Sequence, residues 1–137
     1  MVRFEKLIVP EKVYPYVDCT CATAVMNGCF GTVSDGVFTP GAGTYCVMQV
    51  ERGDNAHSDA YRTVPGGHIR VADMTLVQGI GEVIVNITAD NIATTTYDVD
   101  DALAANANGK LAVAESGGLF TIIEVTDYGV RAVINNA

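Results

Sequence analysis

The side chains best suited to chemistry fall in one polar stretch, where His57, Asp59, Tyr61 and Arg62 are followed closely by His68. Imidazole titrates near neutral pH, so His57 or His68 beside Asp59 is the kind of pair that holds a metal or acts as base and orienter. Either role needs a further group to fix the imidazole tautomer, and the neighbouring sequence supplies none. No Gly-x-Ser-x-Gly elbow is present, and no cysteine has an assignable histidine partner. A small enzyme using His57 or His68 is therefore the weakest reading. The same stretch suits recognition better: Tyr61 offers a ring for a sugar face, while His57, Asp59 and Arg62 offer hydrogen bonds. A solvated loop explains these residues without either role.

The cysteines Cys19, Cys21, Cys29 and Cys46 invite a metal reading, but zinc sites usually pair cysteines two to four residues apart. In a strand Cys19 and Cys21 would share one face, and free cysteine behaves as a small buried hydrophobe. Thiols packed in a core are expected, with no metal and no cofactor. Gly79-Ile80-Gly81 begins like a dinucleotide fingerprint, but it lacks the third glycine and runs into strand residues where a helix N-terminus is needed. Acidic pairs such as Asp100-Asp101 sit beside a turn signal, where capping explains them.

The formal net charge of −8 is unevenly placed. Residues 1–16 hold Arg3, Lys6 and Lys12 against Glu5 and Glu11, and no Lys or Arg occurs from Val71 to Gly109. Such a body repels phosphate backbones, which argues against direct nucleic-acid binding. No apolar run approaches the ~18 residues that span a bilayer, so no membrane role is expected. The opening residues lack an apolar signal region, since Leu7-Ile8-Val9 is cut off by Pro10; a soluble chain made in a reducing compartment is expected. With 49% hydrophobic and 18% charged residues the composition is globular, and 137 residues suit one domain.

The elements that must position these residues read as strands. Asp35-Gly36, flanked by Val33, Val37 and Phe38, signals a hairpin. Tyr45–Glu51 alternates, with Tyr45, Val47 and Gln49 on one face and Cys46, Met48 and Val50 on the other. Val83, Val85 and Ile87 likewise share a face. From Tyr97 to Asn135, three apolar runs are separated by Asn108-Gly109, Gly117-Gly118 and Asp127-Tyr128-Gly129. Asn-Gly suits a type I′ turn because both residues tolerate positive φ. A β-meander is expected, with residues 98–106 entering the Asn108-Gly109 hairpin as strand or irregular turn. The fold class is all-β, a small barrel or sandwich with meander hairpins spanning residues 17–137.

Residues 1–16 read as an extended N-terminal arm, because Pro10 and Pro15 forbid helix and push Val9 and Tyr14 toward extended backbone. The arm carries Arg3, Phe4, Leu7, Ile8, Val9, Tyr14 and Tyr16, which form the candidate partner interface. The alternative, weighted equally, is a first strand packed on its own body.

The pattern Tyr97-x-Val99-x-Asp101-x-Leu103, Asn108-Gly109-Lys110-Leu111, Gly117 and Ile122-Ile123-Glu124-Val125 resembles the barrel half of small tailed-bacteriophage capsid decoration, or cement, proteins. Asp100 stands where that family often has Gly. The resemblance covers roughly the last forty residues and implies a non-enzymatic structural protein on the capsid exterior. It also implies the major capsid protein as partner and a homo-oligomer, a trimer by preference, clamping adjacent capsid subunits. The competing expectation is a carbohydrate- or receptor-binding β-module of a phage tail or cell-surface assembly, with its site in the Arg52–Gly67 loop.

Overall fold

The computed structural model describes residues 1–8, 15–50, 64–78 and 82–135. They form eleven strands: β1 (Val2–Ile8), β2 (Tyr16–Cys21), β3 (Phe30–Ser34), β4 (Val37–Pro40), β5 (Tyr45–Val50), β6 (His68–Asp73), β7 (Glu82–Thr88), β8 (Ala102–Ala105), β9 (Leu111–Ala114), β10 (Phe120–Val125) and β11 (Gly129–Ile134). Single 3₁₀ turns follow β6 and β7, at Met74–Leu76 and Ala89–Asn91. The all-β barrel expectation holds. β2, β4, β3, β5 and β6 close a five-stranded barrel, and the rest form a six-stranded sheet in the order β1-β7-β11-β10-β8-β9. Among the described residues no helix is long and apolar enough to cross a membrane.

Local chemistry explains the hairpins. Ser34 and Val37 face each other across Asp35 and Gly36, whose φ angles of 53° and 76° define a type I′ turn. The Asn108-Gly109 hairpin also forms, between β8 and β9, but with a different turn. Only Gly109 has positive φ there, at 79°, and its amide donates to the Asn106 carbonyl. Lys110 closes the loop by accepting from the Asn106 amide, so three residues connect the strands through a type I turn and a glycine bulge. The Asn106 side chain fixes this choice by accepting from the Asn108 and Lys110 amides.

The expected meander is broken once. Gly117 does adopt a positive φ of 69°, but β9 does not pair with β10; the chain crosses back so that β10 lies on the far side of β8. Residues 98–101 form an irregular turn, closed by Asp98 N–H to the Asp101 carboxylate, and β8 follows directly.

Among the described residues, two apolar clusters fill the interior. One, between sheet and barrel, contains Val83, Val85, Ile87, Leu103, Leu111, Phe120, Ile122, Val130 and Ala132 from the sheet, with Phe30, Cys46 and Ala72 from the barrel wall. Phe30 and Phe120 meet edge to face with centroids 6.0 Å apart. The other cluster fills the barrel with Cys19, Cys21, Val25, Phe38, Val47, Ile69 and Val71. The two faces of β5 thus serve different cores, Cys46 looking toward the sheet and Val47 into the barrel.

The segment expected as an arm is extended, but Val2–Ile8 lies on its own chain as the marginal strand β1, antiparallel to β7. Tyr16 begins β2. The physical reason is burial: Val2 is 2% exposed, and Phe4 packs on the sheet core and meets Tyr16 edge to face at 6.4 Å. These apolar groups gain more from the chain's own core than from water, and hold the segment in place.

Candidate functional site

The site that the described residues build is the margin and outer face of the six-stranded sheet. β1 sits at one end of the strand order, and among the described residues β7 is its only pairing partner. The Thr88 amide donates to the Met1 carbonyl at 2.9 Å, which sets the phase of the ladder. Alternation then makes Arg3 and Asn86 a hydrogen-bonded pair and turns the backbone polar groups of Val2 and Phe4 toward the open side. An open row of this kind is a template for another strand.

On the outer face, the register aligns Arg3 with Asn86 and Asn86 with Arg131. Two bulges shape what surrounds this row. In β1 the register shifts between Phe4 and Lys6, and in β10 between Ile122 and Glu124. The β10 shift leaves Ile123 and Glu124 both exposed, where strict alternation after buried Ile122 would turn Glu124 inward. Arg131 collects the carboxylates: its Nε and Nη2 donate to Glu5, at 2.9–3.2 Å, and its Nη1 donates to Glu124 Oε2 at 2.7 Å. Hydrogen bonds donated to Glu5 first, then Glu124, hold the guanidinium more firmly protonated than usual. Glu5 belongs to β1 and Arg131 to β11, with β7 between them, so this fork ties the marginal strand to the sheet's interior.

Arg3 makes no ion pair among the described residues; its Nη2 lies 2.9 Å from Met1 Sδ. It lines a groove of about 400 Å³ with Met1, Asn86, Thr88 and Tyr128. Tyr128, at the turn between β10 and β11, donates its hydroxyl proton to Asn86 Oδ1 at 2.8 Å. Two other clefts lie at the junction of barrel and sheet. One of about 230 Å³ includes Cys29, Asp90, Asn91 and Lys110; the other, of about 300 Å³, includes Gln78 and Leu119.

Of the residues expected at the interface, Arg3 faces outward, whereas Phe4 and Tyr16 turn inward onto each other and the core. Leu7 and Ile8 pair with Val83 and Glu82 through the backbone. The side chains of Leu7 and Ile8 lie outside the described residues, as do Val9 and Tyr14. His57, Asp59, Tyr61 and Arg62 of the recognition loop also lie outside them. His68 is exposed at the start of β6, opposite Thr20. Cys19, Cys21 and Cys46 are buried free thiols and Cys29 is partly buried. Burial pushes the Cys19 and Cys46 thiols up, with Cys21 and Cys29 respectively adding to the effect. Cys21 Sγ donates to the Val64 carbonyl at 3.2 Å. Among the described residues no three His, Cys, Asp or Glu side chains converge as a metal site. The groove beside Arg3 escaped sequence reasoning, because Arg3, Asn86 and Tyr128 are far apart in the chain; Tyr128 before Gly129 read only as a turn.

Compared with protein-family models, curated proteins and solved structures, the chain matches none.

Proposed function

We propose that the chain is a structural virion protein that binds the outer surface of a phage capsid and stabilises contacts between major capsid subunits. The observation that carries this reading is that among the described residues β1 pairs on one side only, which leaves the Val2 and Phe4 backbone on the unpaired side to meet a strand from a neighbouring subunit. Main-chain pairing supplies affinity without demanding a particular partner sequence, which suits a protein that repeats over a lattice. Multivalent attachment, as in the trimer that the family resemblance implies, makes individually weak contacts persist through effective concentration. The formal charge of −8 suits an outer, solvent-facing position.

Removing residues 1–16 is a poor test, since it would also strip Val2 and Phe4 from the core. Val2→Pro is better. Proline lacks the amide that faces the open side, and is tolerated on an edge strand at such a position. Purified shells incubated with each protein and imaged by electron cryo-microscopy should show decoration by the parent and little by Val2→Pro, with both proteins folded by circular dichroism. Equal occupancy would sink the strand-addition interface, and absence of the parent from all shells would sink the capsid role.

A further inference from the structure

We infer that the groove between Arg3, Asn86 and Tyr128 is a binding site for a carboxylated sugar. This goes beyond capsid attachment and uses a different chemistry. The groove holds about 400 Å³, and sheet register sets its two donors side by side: Arg3 lies directly opposite Asn86. Residues paired in this way have Cβ atoms roughly 5 Å apart, close enough for one oxyanion to meet both.

The hydrogen-bond inventory identifies the ligand's polarity. Asn86 Oδ1 is occupied by the Tyr128 hydroxyl, so the amide presents its Nδ2 hydrogens as donors. Thr88 Oγ1 already donates to Asn91 Oδ1 and accepts from the Met1 ammonium, so Arg3 and the Asn86 amide carry the polar contacts to a ligand. The next cation along the row, Arg131, is saturated by Glu5 and Glu124, whereas among the described residues Arg3 donates only to the Met1 sulfur. A planar fork with neighbouring amide donors matches a carboxylate held bidentately. Tyr128 supplies the rest. It is 48% exposed, and its hydroxyl is tied down to Asn86, which leaves an anchored ring beside the fork. An anchored aromatic face takes the apolar face of a pyranose, as phosphate alone cannot. The combination of carboxylate, hydroxyls and ring describes a uronic or sialic acid.

The test is a titration of the full isotopically labelled chain with D-glucuronate, followed by amide chemical shifts, with D-glucose and inorganic phosphate as separate arms. Saturable shifts centred on Arg3, Asn86 and Tyr128, with a dissociation constant of roughly 1 mM or tighter, are expected for glucuronate alone. Arg3→Gln and Asn86→Asp should each weaken binding by about tenfold or more, and Lys110→Gln, in a different cleft, should leave it unchanged. Phosphate binding as tightly at the same residues would reduce the groove to a general anion site and overturn the proposal. Equal binding of glucose, or no saturable shift with glucuronate, would overturn it as well. Isolated chain suffices, so the result is independent of whether capsids are decorated.

Discussion

The Gly109 carbonyl accepts a hydrogen bond from the Phe30 amide at 2.8 Å, joining the tip of the β8–β9 hairpin to the first residue of β3 in the barrel. A Cβ on Gly109 would stand 2.5 Å from the Phe30 carbonyl oxygen and 2.8 Å from Cys29 Sγ, and φ is 79°. Gly109→Ala should therefore destabilise by about 2–5 kcal/mol, backbone strain contributing about 1–2 kcal/mol and overpacking about 1–3 kcal/mol. Gly36 is the internal control. Its φ is 76° but nothing lies within 4 Å of an added Cβ, so Gly36→Ala should cost about 1–2 kcal/mol from strain alone. Urea unfolding of the two variants measures the difference.

Phe120 is fully buried and meets Phe30 across the interface between sheet and barrel. Phe120→Ala should lose about 3–5 kcal/mol, while Phe120→Leu, which keeps most of the volume, should lose less. Chemical denaturation with unchanged slope would attribute the loss to the native state.

The thiols give a pH dependence with a definite sign. Burial raises the Cys46 thiol above its ordinary value, so the folded state keeps a proton that the unfolded chain releases. Stability from this group is complete below about pH 8.5 and declines as pH rises beyond it. Cys19 acts in the same direction. Thermal unfolding across about pH 7–10 should show the decline, and Cys46→Ala should flatten it. In native protein a thiol-specific reagent should label Cys29 first, with the buried thiols reacting only on unfolding.

The Glu5–Arg131–Glu124 fork is exposed, and exposed ion pairs are weak and screened by salt. Arg131→Met should lower the melting temperature slightly at low ionic strength, and the gap should close near ~1 M salt, where the Debye length is ~3 Å. A gap that persists at high salt would assign the fork's contribution to packing.

Features set by neighbours in the chain were legible in the sequence, and features set by distant partners were not. Asp35-Gly36 specifies its hairpin because both residues accept positive φ. The alternation of Cys46 and Val47 also reads directly, although which core each would meet does not. The turn at Asn108-Gly109 was misread in type because the Asn106 side chain, two residues upstream, recruits an extra residue into the loop. The crossing of β10 to the far side of β8 is a choice of strand partner, and no local pattern encodes it. Phe4 read as a sticky outward group because its counterpart, Tyr16, lies beyond two prolines. The groove beside Arg3 arises only when β1, β7 and the β10–β11 turn come together.

Strand β5 is a party wall, its alternate side chains owned by two different rooms. Neither room can be demolished alone, because losing the barrel exposes the cluster beneath the sheet and losing the sheet uncovers Cys46. Two hydrogen-bonded layers are therefore expected to melt in one cooperative step, and a fragment carrying either layer by itself would not stand.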